Sequence, residues 1–342
     1  MSSNSSLTRH SIIPVSLLLV LGAGLVYWFG ESWLRHFLLY LSKARWARNL
    51  VSNLPPAKVV ARRFVAGETI EDAVAVARQL NQRGMHVTMD YLGESVSTIK
   101  EAEAARDEIL RLFDRIEREK LDATVSVKLS QLGLKIDTGQ TFKNVRSLAA
   151  RASEYGNRLR IDMEESVLVD ITLDIYRRLR YDEGFSNVGV VVQSYLYRTE
   201  DDVRRLVDEG ASVRLCKGAY MEPANVAFPE KQDSDDNFVK LMQIMLSEKA
   251  RQNGMYLGVA THDEQMVNAT RSFVQREGID AHEFEFQMLY GIRRDLQESL
   301  VNEGYQVRVY VPYGTAWYPY FVRRLAERPA NLWFFLSNLV RR

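Results

Sequence analysis

From Thr69 onward, two hydrophobic periods alternate along the chain. Thr69 to Arg83 carries apolar residues at helical spacing and ends at Gly84, the residue type best suited to close a helix in the left-handed region. Short apolar runs of strand length then follow: Met85 to Asp90, Thr124 to Lys128, Leu159 to Asp162, Val188 to Gln193, Val213 to Lys217, Tyr256 to Thr261, Phe284 to Gln287 and Val307 to Tyr310. Between them lie helical stretches, among them Thr98 to Glu119, Leu168 to Arg180, Asp236 to Asn253 and Arg293 to Glu303. Strands alternating with helices make a parallel sheet, and eight such units predict a closed (βα)8 barrel, a TIM-like α/β fold. A doubly wound open sheet is the alternative that the pattern leaves standing.

The strand ends share a property. Asp90, Lys128, Asp162, Gln193, Lys217, Thr261 with His262, Gln287 and Tyr310 put polar groups at the C-terminal edge of otherwise apolar runs. In a barrel that edge is the mouth where catalytic side chains gather.

Upstream, Ser52-Asn-Leu-Pro55-Pro56 marks a seam, so residues 1–50 are expected as a separate segment and 51–342 as the barrel. Ile12 to Phe29 is uncharged and as a helix would span about 27 Å, close to the ~30 Å hydrocarbon core of a bilayer. Trp28 and Trp33 would sit at its interface, and Arg35, Lys43, Arg45 and Arg48 follow it. This predicts an N-terminal hydrophobic helix acting as membrane anchor, with the catalytic domain on the cytoplasmic face. A targeting peptide and a buried helix are the other readings of the same run.

With 46% apolar residues in 342, the chain can bury a large core, and a net charge of +1 offers no argument for nucleic acid. Cys216 is the single cysteine, so no intrachain disulfide forms. The five histidines lack metal-ligand spacing, and no phosphate loop, nucleophile elbow or dinucleotide fingerprint follows a strand. The cations point to anions instead. Arg214 and Lys217 end a strand ahead of Gly218-Ala219, an arrangement suited to a phosphate-bearing cofactor. Near the C-terminus, Tyr320-Phe-Val-Arg323-Arg324-Leu-Ala-Glu327 places two guanidinium groups side by side on a predicted helix, either as a solvated face or as a grip on a small anion. Lys128 and Lys217 are also candidates for Schiff-base lysines, the main chemical rival.

In these motifs the chain resembles the proline dehydrogenase family of flavoenzymes. The resemblance runs from about Arg62 to Asn331. It rests on Arg63-Phe-Val-Ala-Gly-Glu-Thr, Asp90-Tyr-Leu-Gly-Glu94-Ser, Ser126-Val-Lys128-Leu-Ser, Ile161-Asp162-Met-Glu-Glu, Val192-Gln193-Ser-Tyr195, Arg214-Leu-Cys-Lys217-Gly-Ala-Tyr220, Ala260-Thr-His262, Phe284-Glu-Phe-Gln287-Met-Leu-Tyr-Gly and Tyr320-x-x-Arg323-Arg324. It implies a (βα)8 barrel that binds FAD and oxidises L-proline to Δ1-pyrroline-5-carboxylate by hydride transfer from ring C5 to flavin N5, passing electrons to a membrane quinone. Arg323, Arg324 and Lys128 would hold the substrate carboxylate, and Tyr310 and Tyr320 would wall the ring. Asp162 would orient the cations, and Glu94 would pair with Arg323 as a gate. Gln193, Arg214, Lys217, Gly218, Ala219, Tyr220, Thr261, His262 and Glu327 match positions that hold FAD. One departure stands out: Asp263 follows His262, where the family usually has asparagine. The chain also lacks the extra domains of bifunctional relatives.

Overall fold

The computed structural model describes Tyr40, residues 61–93 and residues 96–327, without the side chains of 325–327. The chain divides into two compact units, one of residues 64–315 and one of residues 1–63 with 316–342. The boundary expected near residue 50 and the apolar run Ile12 to Phe29 lie outside the described residues.

In the larger unit, α1 (Ile70–Asn81) leads into β1 (His86–Tyr91), followed by α2 (Ile99–Glu119), β2 (Ala123–Val127), α3 (Thr138–Glu154), β3 (Leu159–Ile161) and α4 (Val169–Arg177). The order continues with β4 (Val188–Gln193), α5 (Thr199–Asp208), β5 (Ser212–Cys216), α6 (Lys231–Met245), α7 (Glu248–Gln252) and β6 (Tyr256–Ala260). It ends with α8 (Glu264–Arg276), β7 (Phe284–Leu289), α9 (Arg294–Asn302) and β8 (Val307–Tyr313). All eight strands are parallel neighbours, and β8 pairs back onto β1, so the sheet closes. The closed barrel read from the alternation is the fold that forms, and the open sheet is excluded.

The helices start where side chains can satisfy their first amides. Thr69 and Thr98 each accept from the backbone three residues on, while Asp72 and Glu101 accept from the cap amide in return. The expected helix Asp236 to Asn253 begins earlier and breaks in two, because Ser247 restarts it as an N-cap, accepting from the Ala250 amide. Val125, Val127, Val190, Val213, Leu215, Phe284, Phe286, Val307 and Val309 belong to the apolar layer shared by strands and helices.

The expectation of a membrane-associated protein with a cytoplasmic catalytic face is corrected. Among the described residues no helix is long and apolar enough to cross a membrane, and the run that suggested one lies outside them.

In the smaller unit, α10 (Trp317–Glu327) packs aromatic rings along one side, with Trp317 edge-on to Phe321 at 5.9 Å.

Candidate active site

Strand register decides which polar groups meet at the mouth. Asp90 pairs with Ser126 across β1 and β2, so Lys128, two residues past Ser126, points to the same side. Its Nζ lies 3.1 Å from Asp90 Oδ2, 3.5 Å from Asp162 Oδ2 and 3.3 Å from the Tyr310 hydroxyl. Tyr310 in turn donates to Asp162 Oδ2 at 2.7 Å, and Arg214 Nη1 donates to Asp162 Oδ1 at 2.7 Å. The Arg214 guanidinium also sits 5.1 Å from the centre of the Tyr310 ring and donates through Nε to Gln287 Oε1. Six strands or their ends thus contribute to one network.

Gly258 makes part of this possible. A Cβ there would lie 2.3 Å from Gln287 Nε2, so only glycine on β6 leaves Gln287 room to cross toward Arg214. Gln287 and Tyr310 sit deeper than strand ends, because β7 continues to Leu289 and β8 to Tyr313.

Charge and burial push the carboxylates apart. Burial raises Asp90 above the usual carboxylate range, with Lys128 opposing and Asp162 adding to the rise. Asp162 feels the same burial, but the neighbouring Lys128 and Arg214 charges hold it below that range. Tyr310 is raised well above an ordinary phenol, by burial and then by Asp162 and Asp90, so it remains a hydrogen-bond donor. The set is an anionic Asp162 held by two cations and a phenol, with Asp90 leaning toward its neutral form.

A second group lies on the β4 to β6 side. Gln193 is buried and, among the described residues, its Oε1 has no hydrogen-bond partner. Thr261 is buried and accepts from the Asp263 amide at 3.0 Å. His262 Nε2 accepts the Leu289 amide at 2.8 Å, which leaves the proton on Nδ1 when the ring is neutral. Gly218, Ala219 and Tyr220 form the loop after β5. Lys217 is tied to Asp235 at 2.5 Å and to Asp263 at 2.7 Å. Asp263 also caps α8, accepting the Gln265 amide at 3.1 Å. An asparagine would cap equally well; the aspartate adds a charge that Lys217 and Lys231 neutralise.

On α10, Tyr320 and Arg324 are buried, and the Arg324 guanidinium lies 5.0 Å from the Tyr320 ring centre, one helical turn away. Arg323 is half-buried on the same helix. Glu94 and the side chain of Glu327 lie outside the described residues.

Some members of the network had not been singled out from sequence. Asp90 appeared only as one strand end among eight, yet among the described residues it lies nearer to Lys128 than Asp162 does, at 3.1 Å against 3.5 Å. Glu285 and Arg308 form a buried pair at 2.8 Å, and Glu285 accepts from Gln287 behind Arg214. The signal was present in Phe284-Glu-Phe-Gln-Met and Val307-Arg-Val-Tyr, where polar residues alternate with apolar ones and so face the barrel interior.

The sequence profile of the family described as Proline dehydrogenase matches residues 73–336. The chain belongs to the proline dehydrogenase family. With that family, it is an oxidoreductase of proline catabolism built on a TIM-like barrel. The proline dehydrogenase 1 of Bacillus subtilis strain 168 is 40% identical over 309 residues, 90% of this chain and 100% of that one. The proline dehydrogenase of Deinococcus radiodurans is 43% identical over 285 residues, 82% of this chain and 90% of its own. A solved structure of proline utilization A from Bdellovibrio bacteriovorus, inactivated by N-propargylglycine, superposes with a TM-score of 0.74 at 25% identity, covering 79% of this chain and 32% of that one. The family's short, single-activity proline dehydrogenases are therefore the appropriate comparison.

Proposed function

We propose that the chain oxidises L-proline to Δ1-pyrroline-5-carboxylate with FAD as its cofactor and a quinone as final electron acceptor. The observation that supports this reading best is the arrangement of Lys128, Tyr310 and Arg214 around one buried carboxylate, Asp162, at the mouth of a proline dehydrogenase family barrel.

In this reading Lys128 binds the substrate carboxylate, and Asp162 holds Lys128, Tyr310 and Arg214 in fixed positions. Tyr310 presents its ring as a wall for the pyrrolidine. The parts of Tyr320, Arg323 and Arg324 in that grip, and of Glu94 as a gate, rest on their motifs. Fixing the carboxylate and one ring face orients the C5 hydrogen, and orientation is worth much of the rate in such a transfer.

FAD, when bound, supplies the hydride acceptor. The residues present fit it: Gln193 offers a buried acceptor suited to a ring N–H, and Arg214 places a fixed cation in the network beside it. Lys217, Gly218, Ala219, Tyr220, Thr261, His262 and Glu327 would complete its cradle. Lys217 would act with Asp235 and Asp263 attached, so its share is to position the loop after β5 rather than to offer a bare charge. The Schiff-base alternative is disfavoured at Lys128, because its amine is already engaged by Asp90, Asp162 and the Tyr310 hydroxyl rather than free to attack a carbonyl.

The test is a visible spectrum. Purified protein reconstituted with FAD should be yellow and should bleach on anaerobic addition of L-proline. Protein that stays colourless after reconstitution, or that keeps its colour with proline, overturns the reading.

A further inference from the structure

Beneath the Asp162 and Arg214 pair, the barrel interior is hollow. Thr88, Thr124, Gly189 and Ser212 line a cavity of about 190 Å³ whose walls reach Arg158, Asn187, Gly210 and Gly254, which lie before β3 to β6 at the N-terminal mouth. Barrels usually fill this depth with branched apolar side chains. Here it holds arginines. Among the described residues, Arg158, Arg160, Arg180, Arg214 and Arg308 line the cavity against a single carboxylate, Glu285.

Two of the five are matched, Arg214 by Asp162 at 2.7 Å and Arg308 by Glu285 at 2.8 Å. Arg158, Arg160 and Arg180 have no carboxylate at ion-pair distance among the described residues. Arg160 donates to the Val190 carbonyl at 2.9 Å, the Ser212 carbonyl at 2.7 Å and Ser212 Oγ at 3.0 Å. Gly189 gives it that path, since a Cβ would lie 2.9 Å from Arg160 Nη1. Arg180 donates to the Glu209 carbonyl at 2.7 Å and the Gly210 carbonyl at 3.2 Å, and Arg158 lies 5.8 Å from the Tyr256 ring centre. Carbonyls and a ring orient a guanidinium without neutralising it. Burial, then repulsion from Arg214, pushes the Arg160 guanidinium down to about 9, the direction of a cation short of counter-charge.

We propose that this cavity binds a small tetrahedral oxyanion, of the phosphate or sulfate kind, between Arg158, Arg160 and Arg180 at the N-terminal mouth of the barrel. Planar guanidinium groups pair with two oxygens at once, which selects an oxyanion over a spherical halide. One water needs only about 10–15 Å³ of such space, so an oxyanion fits with water around it. The site lies at the opposite end of the strands from Lys128 and does not depend on the substrate assignment.

The full chain is titrated calorimetrically with inorganic phosphate and with sulfate, with chloride at matched ionic strength as reference. Phosphate or sulfate should bind saturably and raise Tm where chloride does not. Combining Arg158→Gln with Arg180→Gln should weaken binding roughly tenfold or more with an unchanged circular dichroism spectrum, while Lys128→Met should leave it intact. Should the double variant not fold, Arg158→Gln alone, at an exposed position, should weaken binding about threefold. The proposal is overturned if neither anion binds, if chloride binds equally, if Arg158→Gln changes nothing, or if Lys128→Met abolishes binding.

Discussion

Arg214 holds Asp162 across the barrel: Nη1 lies 2.7 Å from Oδ1, although the two residues are 52 positions apart. Asp162→Asn would keep the shape and remove the charge that Arg214 and Lys128 share. Removing one partner of a buried pair costs roughly 3–5 kcal/mol, and a misplaced electrostatic group at a reacting centre costs roughly a hundredfold in rate. We expect a lower urea midpoint together with a fall of that order in kcat/KM for proline with an artificial acceptor. A variant unchanged in both would remove Asp162 from the site.

Arg324 stacks its guanidinium over Tyr320 at 5.0 Å. Lysine carries the charge but neither the plane nor the fork. Arg324→Lys should raise KM for proline roughly tenfold or more, equivalent to about 1.4 kcal/mol of binding, with a smaller change in Tm. An unchanged KM would contradict a carboxylate-binding role for this helix.

Gly258 is the space through which Gln287 reaches Arg214. Adding a Cβ 2.3 Å from Gln287 Nε2 forces one of them to move, and overpacking of this kind costs about 1–3 kcal/mol. Gly258→Ala should lower both stability and kcat/KM, and adding Gln287→Ala should recover stability without recovering activity. Recovery of both would show that Gln287 merely fills space.

His86 and Asp122 form an ion pair on the N-terminal side of the barrel. The Asp122 hydrogen bond, opposed by burial, raises His86 above its ordinary 6.5. A raised histidine contributes stability that is complete below the unfolded value and is lost as pH rises through the folded one. The pair is partly exposed, so its contribution is at most about 1 kcal/mol. The Tm difference between the parent and Asp122→Asn should be largest near about pH 6 and shrink toward about pH 8; a difference that grows with pH would refute the assignment.

Much of this protein is legible along the chain. The strand candidates match the eight strands to within a few residues, because each strand packs under helices and shows its apolar face in the sequence. Capping at Thr69 and Thr98 involves residues three apart, so it too can be read locally. Lys217 marks the boundary. It reads as an available cation at a strand end, yet it is tied to Asp235 and Asp263, partners that only the folding of α6 and α8 against β5 brings near.

By itself, then, the sequence determined what depends on near neighbours: the two periods, the caps, the strand–helix alternation that makes a parallel sheet, and a set of polar residue types at the strand ends; the pairing of β8 with β1 that closes the sheet was left to the tertiary structure. Tertiary structure alone decided which charges meet. Lys128 is 34 positions from Asp162 and 182 from Tyr310, yet all three share one hydrogen-bonded group. Closure of the sheet sets that register, and a shift by one residue would turn every one of these side chains to the other face.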